Sequence, residues 1–210
     1  MRAYSATVWT LLAAAAFSSP AVTLAKGGKY NDVLSIGEKA PTFADVPGID
    51  DKKHGLREYK DAKAIVLVFT CNHCPVAVAY EDRLVALQKE FKKKGVQFVA
   101  ICSNPEESDT LAELKKRAES KKFNFPYLHD DGQKVGREYG AAVTPHVFLL
   151  DRDRKVVYMG AVDDNMEADK VKKHYLSDAI EAVLAKKSVE TTETRQFGCG
   201  IHYEKPGAGT

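Results

Sequence analysis

The chain is short of cysteine, of net charge and of long apolar runs, and each shortage excludes something. Four cysteines in 210 residues (Cys71, Cys74, Cys102 and Cys199) are too few for a protein held together by disulfides. The formal net charge is +2, and no cluster of Lys or Arg coincides with an aromatic stripe. Nucleic-acid binding therefore has no support. The lysines fall in helical stretches such as Lys92-Lys93-Lys94 and Lys172-Lys173, where they read as solvated faces. There is no internal repeat and no low-complexity tract. The apolar stretch from Val8 to Phe17 is about ten residues, well short of a bilayer span.

That short stretch has another reading. Arg2 precedes it, Ser18-Ser19-Pro20 follows it, and Thr23-Leu24-Ala25 gives a small-residue ending. Residues 1–25 thus read as a secretory signal peptide cleaved after Ala25, with an uncleaved anchor as the alternative. The expected location is periplasmic or secreted, with no stable membrane insertion after cleavage. No cysteine lies near this segment, which excludes a lipoprotein anchor. Residues 26–36 read as a loose polar arm, 37–187 as the folded domain and 188–210 as a tail of little periodicity. In an oxidising compartment thiols pair unless a reductant keeps them open. Four cysteines there suggest chemistry plus, at most, one structural bridge.

The chemistry is concentrated in Phe69-Thr70-Cys71-Asn72-His73-Cys74-Pro75. Residues 64–69 (Ala-Ile-Val-Leu-Val-Phe) are unbroken apolar, the pattern of a strand covered on both faces. Pro75 suits the first turn of a helix, where its missing N–H costs nothing. Two cysteines three positions apart at such a junction can close a disulfide with little rearrangement. The expectation is that Cys71, at the helix edge, is the exposed attacking thiolate, favoured by the helix N-terminus and by His73. Cys74, one turn in, is expected to be more buried and to resolve the mixed disulfide.

Ala77, Tyr80, Leu84, Leu87 and Phe91 recur at helical spacing after Pro75. A strand follows at 96–102, a charged helix at 106–121, a short extended piece at 125–128 and a short helix at 133–139. Residues 146–150 and 155–159 form a hairpin, and a last helix covers 173–187. Parallel strands come first and a hairpin comes late, with helices for both faces of one mixed sheet. This is the α/β order of the thioredoxin fold.

Several motifs together resemble the thioredoxin superfamily, and within it the redoxin branch of peroxiredoxins and envelope thiol–disulfide proteins. They are Gly37-x-x-Ala40-Pro41-x-Phe43, Cys74-Pro75, Tyr139-Gly140-Ala141, Thr144-Pro145, Tyr158-x-Gly160-x-x-Asp163-Asp164-Asn165 and Gly198-Cys199-x-Ile201. The match is best to a peroxiredoxin-like group and spans about residues 33–203. The resemblance implies dithiol exchange through Cys71 and Cys74, with a redox-active disulfide and no other cofactor. The partners it implies are protein thiols and disulfides and an electron donor or acceptor. It also implies that Pro145 is a cis-proline facing the dithiol, with Thr144 offering its backbone to a bound peptide.

The chain departs from the family in one respect. Thioredoxins often carry a buried acid in the strand before the motif, and residues 64–69 hold none. Proton transfer must then use water, His73 or an acid from elsewhere, with Glu81 and Asp130 as candidates.

Two other functions compete. Peroxiredoxins carry Pro-x-x-x-Thr-x-x-Cys and an activating Arg. With Cys74 in the peroxidatic place, the Thr position falls on Cys71 and the Pro position on Leu67. Arg137 and Arg152 are the available substitutes for the Arg. A metal-binding reading takes Cys71, Cys74, Cys199 and His202 as a set suited to zinc or cuprous copper. Cys102 ends the second strand and reads as a buried small residue or an auxiliary thiol. Cys199 is the other possible auxiliary thiol, brought to the site if Phe197, Ile201 and Tyr203 dock the tail over the Thr144-Pro145 mouth. His54, His129 and His174 read as surface or packing residues, and His146, which follows Pro145, as the one histidine among them placed to approach the site.

Overall fold

The computed structural model describes Met1 and residues 27–205; the expected leader lies, apart from Met1, outside the described residues. In chain order the elements are β1 (Val46–Pro47), β2 (Lys53–His54), β3 (Ala64–Phe69), α1 (Pro75–Lys92), β4 (Val96–Cys102) and α2 (Leu111–Ser120). Then come β5 (Tyr127–His129), α3 (Lys134–Tyr139), β6 (Val143–Thr144), β7 (His146–Leu150), β8 (Val156–Gly160), α4 (Tyr175–Leu184) and β9 (Cys199–Gly200). Five strands make the central sheet, in the order β5-β4-β3-β7-β8. Strand β3 pairs parallel with β4 and antiparallel with β7. Strand β4 pairs parallel with β5, and β7 antiparallel with β8.

All six residues of β3 are buried, as an unbroken apolar run requires of a central strand. Successive side chains point to opposite faces. Ala64, Val66 and Val68 join a core with Ala77, Tyr80, Leu84 and Phe91 of α1 and Leu176 and Ile180 of α4. Ile65, Leu67 and Phe69 join a second core with Val135 and Tyr139 of α3 and with Leu34 and Phe43. Phe69, Tyr139 and Phe148 pack edge-to-face or tilted, with centroids 5.4–5.7 Å apart. A one-residue slip of β3 would exchange the two sets, so the register is fixed by both cores at once. Among the described residues no helix is long and apolar enough to cross a membrane.

Two expectations need correction. The helix expected from residue 106 starts at Leu111, because Pro105 and a 3-10 turn over Glu107–Asp109 precede it. Residues 27–36 are not a loose arm. The buried Asn31 amide donates to Tyr139 O (2.9 Å), and its oxygen accepts from the N–H of Val33 (2.8 Å) and Leu34 (2.9 Å). The segment after α4 lies against the fold. Met159 N–H donates to Thr192 O (3.0 Å) and Thr194 N–H to Met159 O (3.1 Å), so the chain runs back beside β8.

Candidate active site

Beyond β3 one further residue keeps the ladder, with Thr70 N–H donating to Ile101 O at 2.9 Å. The chain then turns over Cys71, Asn72 and His73, and Cys74 caps α1. Cys74 is extended (φ −78°, ψ 117°), its sulfur accepts from Ala77 N–H at 3.4 Å, and Pro75 opens the helix. The thiol set at the helix N-terminus is therefore Cys74 and not Cys71. A helix favours negative charge at its cap and first turn, so the advantage expected for the first cysteine falls on the second.

Thr144 lies against both sulfurs. Its Oγ1 is 3.1 Å from Cys71 Sγ, and its carbonyl oxygen accepts from the Cys74 thiol at 3.2 Å. The Thr144–Pro145 peptide is cis. The expected exposed-then-buried order is absent, since Cys71 is 2% exposed and Cys74 0%. The two thiols titrate together as a pair. The hydrogen bond from Cys71 pulls the Cys74 thiol well down, helped by the N–H groups of Cys199 and Ala77. The same bond, together with burial and the Asp109 charge, pushes Cys71 up. These directions put the charge of a singly ionised pair on Cys74, so attack by Cys71 requires that Cys71 first give up its own proton.

The acid beside the pair is Asp109, which sequence reasoning missed. It is fully buried. Its Oδ1 accepts from Asn72 N–H at 2.6 Å, and its Oδ2 lies 2.5 Å from His73 Nδ1. A carboxylate oxygen of Asp109, an imidazole nitrogen of His73 and Cys71 Sγ lie within 4.8 Å of one another. In the sequence Asp109 looks like any acid near a helix start. The usable signal was topological: β3 and β4 are adjacent parallel strands, so the loops after both open on the same edge of the sheet.

The two acids named as candidates are engaged elsewhere. Glu81 takes a two-point bond from Arg117, at 2.7 and 2.8 Å. Asp130 accepts from Ser103 Oγ at 2.8 Å and Gly136 N–H at 2.9 Å.

The tail reaches the site. Strand β9 pairs antiparallel with β6, placing Cys199 opposite Thr144 and Gly200 opposite Val143. Cys199 N–H donates to Cys74 Sγ at 3.4 Å. Ile201 N–H donates to Ala142 O at 3.0 Å, and the Phe197 ring meets Tyr80 of α1 at a centroid distance of 6.2 Å. His202 is turned away, with Nδ1 at 2.6 Å from Glu106. Among the described residues no group of three mutually close metal-type donors includes His202; the one such group is Cys71, His73 and Asp109.

Cys102 is fully buried, and burial pushes its thiol up. It behaves as a small core residue. His146 is 1% exposed, lies against Phe148 (centroids 4.5 Å apart) and is held down to about 3 by burial. It is a neutral packing residue and not part of the site. Arg137 stacks on Tyr203 at 4.7 Å, and Arg152 is exposed in the turn between β7 and β8. A surface cleft lined by Phe43, His54, Glu58, His129, Asp131 and Lys134, among others, contains no cysteine.

The comparisons with known proteins agree with this geometry. The Redoxin family model matches residues 35–175. The "Thiol-disulfide oxidoreductase ResA" of Bacillus thuringiensis is 32% identical over 127 residues, covering 59% of this chain and 68% of that protein. A crystal structure of an uncharacterized conserved protein from Geobacillus kaustophilus superposes with a TM-score of 0.78 at 35% identity, over 85% of this chain and 96% of that one. A putative thiol:disulfide interchange protein DsbE from Chlorobium tepidum gives a TM-score of 0.60 at 25% identity, over 72% and 99%. With its mixed five-stranded sheet, helices on both faces and a thiol pair where β3 meets α1, the chain belongs to the Redoxin family and is an oxidoreductase of the thioredoxin superfamily.

Proposed function

We propose that the chain is an exported thiol–disulfide oxidoreductase that passes electrons between its Cys71–Cys74 pair and cysteines of other proteins. The carrying observation is Thr144, which touches both sulfurs with one residue (3.1 and 3.2 Å). The backbone edge at Thr144 is already taken by β9, so a substrate cysteine would approach the pair from the partly exposed His73 side. The names of the ResA and DsbE relatives support the reaction class. The composition of residues 1–25 supports export.

In the reducing direction Cys71 attacks a substrate disulfide. A bond forms between Cys71 and one substrate sulfur, and the substrate S–S bond breaks. The leaving thiolate takes up the proton Cys71 gives up, with His73, held by Asp109, as the group placed to carry it. Cys74 then attacks Cys71, closes the 71–74 disulfide and releases the second substrate thiol with the other proton. Two electrons and two protons pass to the substrate, and the oxidising direction is the reverse. Cys71 takes the attacking role because Cys199 and β9 lie on the Cys74 side, while Cys71 borders His73, whose side chain is 27% exposed.

Equilibration with glutathione buffers tests the reading. A two-electron transition that removes two alkylatable thiols per molecule, Cys74 always among them, is the expected result. Two thiols that stay reduced at every glutathione ratio would overturn it.

A further inference from the structure

We infer that Cys199 is a third redox thiol of this site, delivered by the β6–β9 pairing to exchange with the Cys71–Cys74 disulfide. This rests on the proposed dithiol exchange and extends it to a residue that reading does not use.

Three observations converge. The register sets Cys199 directly opposite Thr144, the residue that contacts both sulfurs. The Cys199 backbone N–H donates to Cys74 Sγ at 3.4 Å. The approach is close enough to demand glycine next door: a Cβ on Gly198 would collide with the Thr144 carbonyl oxygen. The strand is anchored further along, with Ile201 buried, Tyr203 OH donating to Ala141 O (2.7 Å) and Gln133 Nε2 donating to His202 O (2.6 Å). Cys199 is thus held against the dithiol from both sides.

The reaction is an isomerisation. The Cys199 thiolate attacks Cys74 Sγ of the 71–74 disulfide. A 74–199 bond forms, the 71–74 bond breaks, and Cys71 leaves as a thiolate that takes up the proton Cys199 released. No electrons are gained or lost. Cys74 is the sulfur attacked because Cys199 neighbours it, whereas Cys71 belongs with His73 and Asp109. In the dithiol form the hydrogen bond to Cys74 raises the Cys199 thiol to about 11. That cause disappears once Cys74 is in a disulfide, so Cys199 becomes more reactive when there is a bond to attack. The product leaves Cys71 free as a nucleophile in an oxidised molecule.

The test is a disulfide map of the full chain equilibrated with oxidised and reduced glutathione, acid-quenched and alkylated. Two oxidised isomers are expected, one with a 71–74 bridge and a free Cys199, the other with a 74–199 bridge and an alkylated Cys71. Gly198→Ala should keep the first and lower the second about tenfold, the effect of roughly 1.4 kcal/mol lost from strand pairing. Cys71 protected in every oxidised molecule, or an undiminished 74–199 bridge in Gly198→Ala, would overturn the inference while leaving dithiol exchange intact. The complete absence of any bridge at Cys71 or Cys74 would instead remove the dithiol reading on which it rests.

Discussion

His73 Nδ1 and Asp109 Oδ2 lie 2.5 Å apart beside Cys71, joining the dithiol loop to the loop after β4. The two groups act on the sulfur with opposite sign. An imidazolium favours the thiolate and hence the reduced form, and the Asp109 charge disfavours it. His73→Ala should therefore make the protein more reducing, and Asp109→Asn more oxidising. Each change of one pKa unit corresponds to about 30 mV for a two-electron couple. Redox titration of the two variants checks this, and shifts of the same sign would contradict it.

Glu81 and Asp130 should not carry the proton. Glu81→Gln weakens the two-point bond to Arg117 and should cost about 2 kcal/mol of stability, less than a fully buried pair because Arg117 is partly exposed. Activity per folded molecule should stay within about twofold, since ΔΔG‡ below about 0.4 kcal/mol is expected of a group off the reaction path. Urea unfolding and turnover measured side by side decide this.

The fold was legible because its signals are long. The apolar run at 64–69 and the helical spacing after Pro75 each persist over several residues, and both gave the correct element. What stayed hidden is short or non-local. Strands β1, β2, β6 and β9 have two residues each, too few for any periodicity. Asp109 reaches the dithiol only because a 3-10 turn replaces the first turn of the expected helix. The exposed-to-buried order of Cys71 and Cys74 misled for a related reason: it treats α1 as free-standing, whereas Thr144 and Cys199 cover it from outside the motif. The approach of Cys199 to the mouth was legible, because Phe197, Ile201 and Tyr203 are apolar residues that need a surface.

His146 gives the folded state a defined pH dependence. Its imidazole is held down to about 3 from an ordinary 6.5 by burial. Between those values the unfolded chain binds a proton that the folded chain does not, so stability rises with pH and falls on acidification. Lowering the pH from 7 to 5 should cost about 2 kcal/mol from this group alone. His146→Phe, which keeps the contact with Phe148, should lose about that much less over the same interval. Equal losses in the two proteins would contradict the assignment.

Peroxide consumption should be slow. Cys71 and Leu67 stand where the peroxidase signature needs Thr and Pro, and Arg137 is committed to Tyr203. Stopped-flow mixing with peroxide should show no rapid stoichiometric sulfenic acid at Cys74. Its formation at micromolar peroxide would place the chain among the thiol peroxidases.

The most direct measurement is trapping of the covalent intermediate during turnover of a disulfide substrate such as insulin, using wild type, Cys71→Ser and Cys74→Ser. Wild type should turn over, Cys71→Ser should be inactive, and Cys74→Ser should accumulate a mixed disulfide joining Cys71 to the substrate. The account is contradicted if Cys71→Ser keeps turning over, or if the trapped substrate is bound to Cys74.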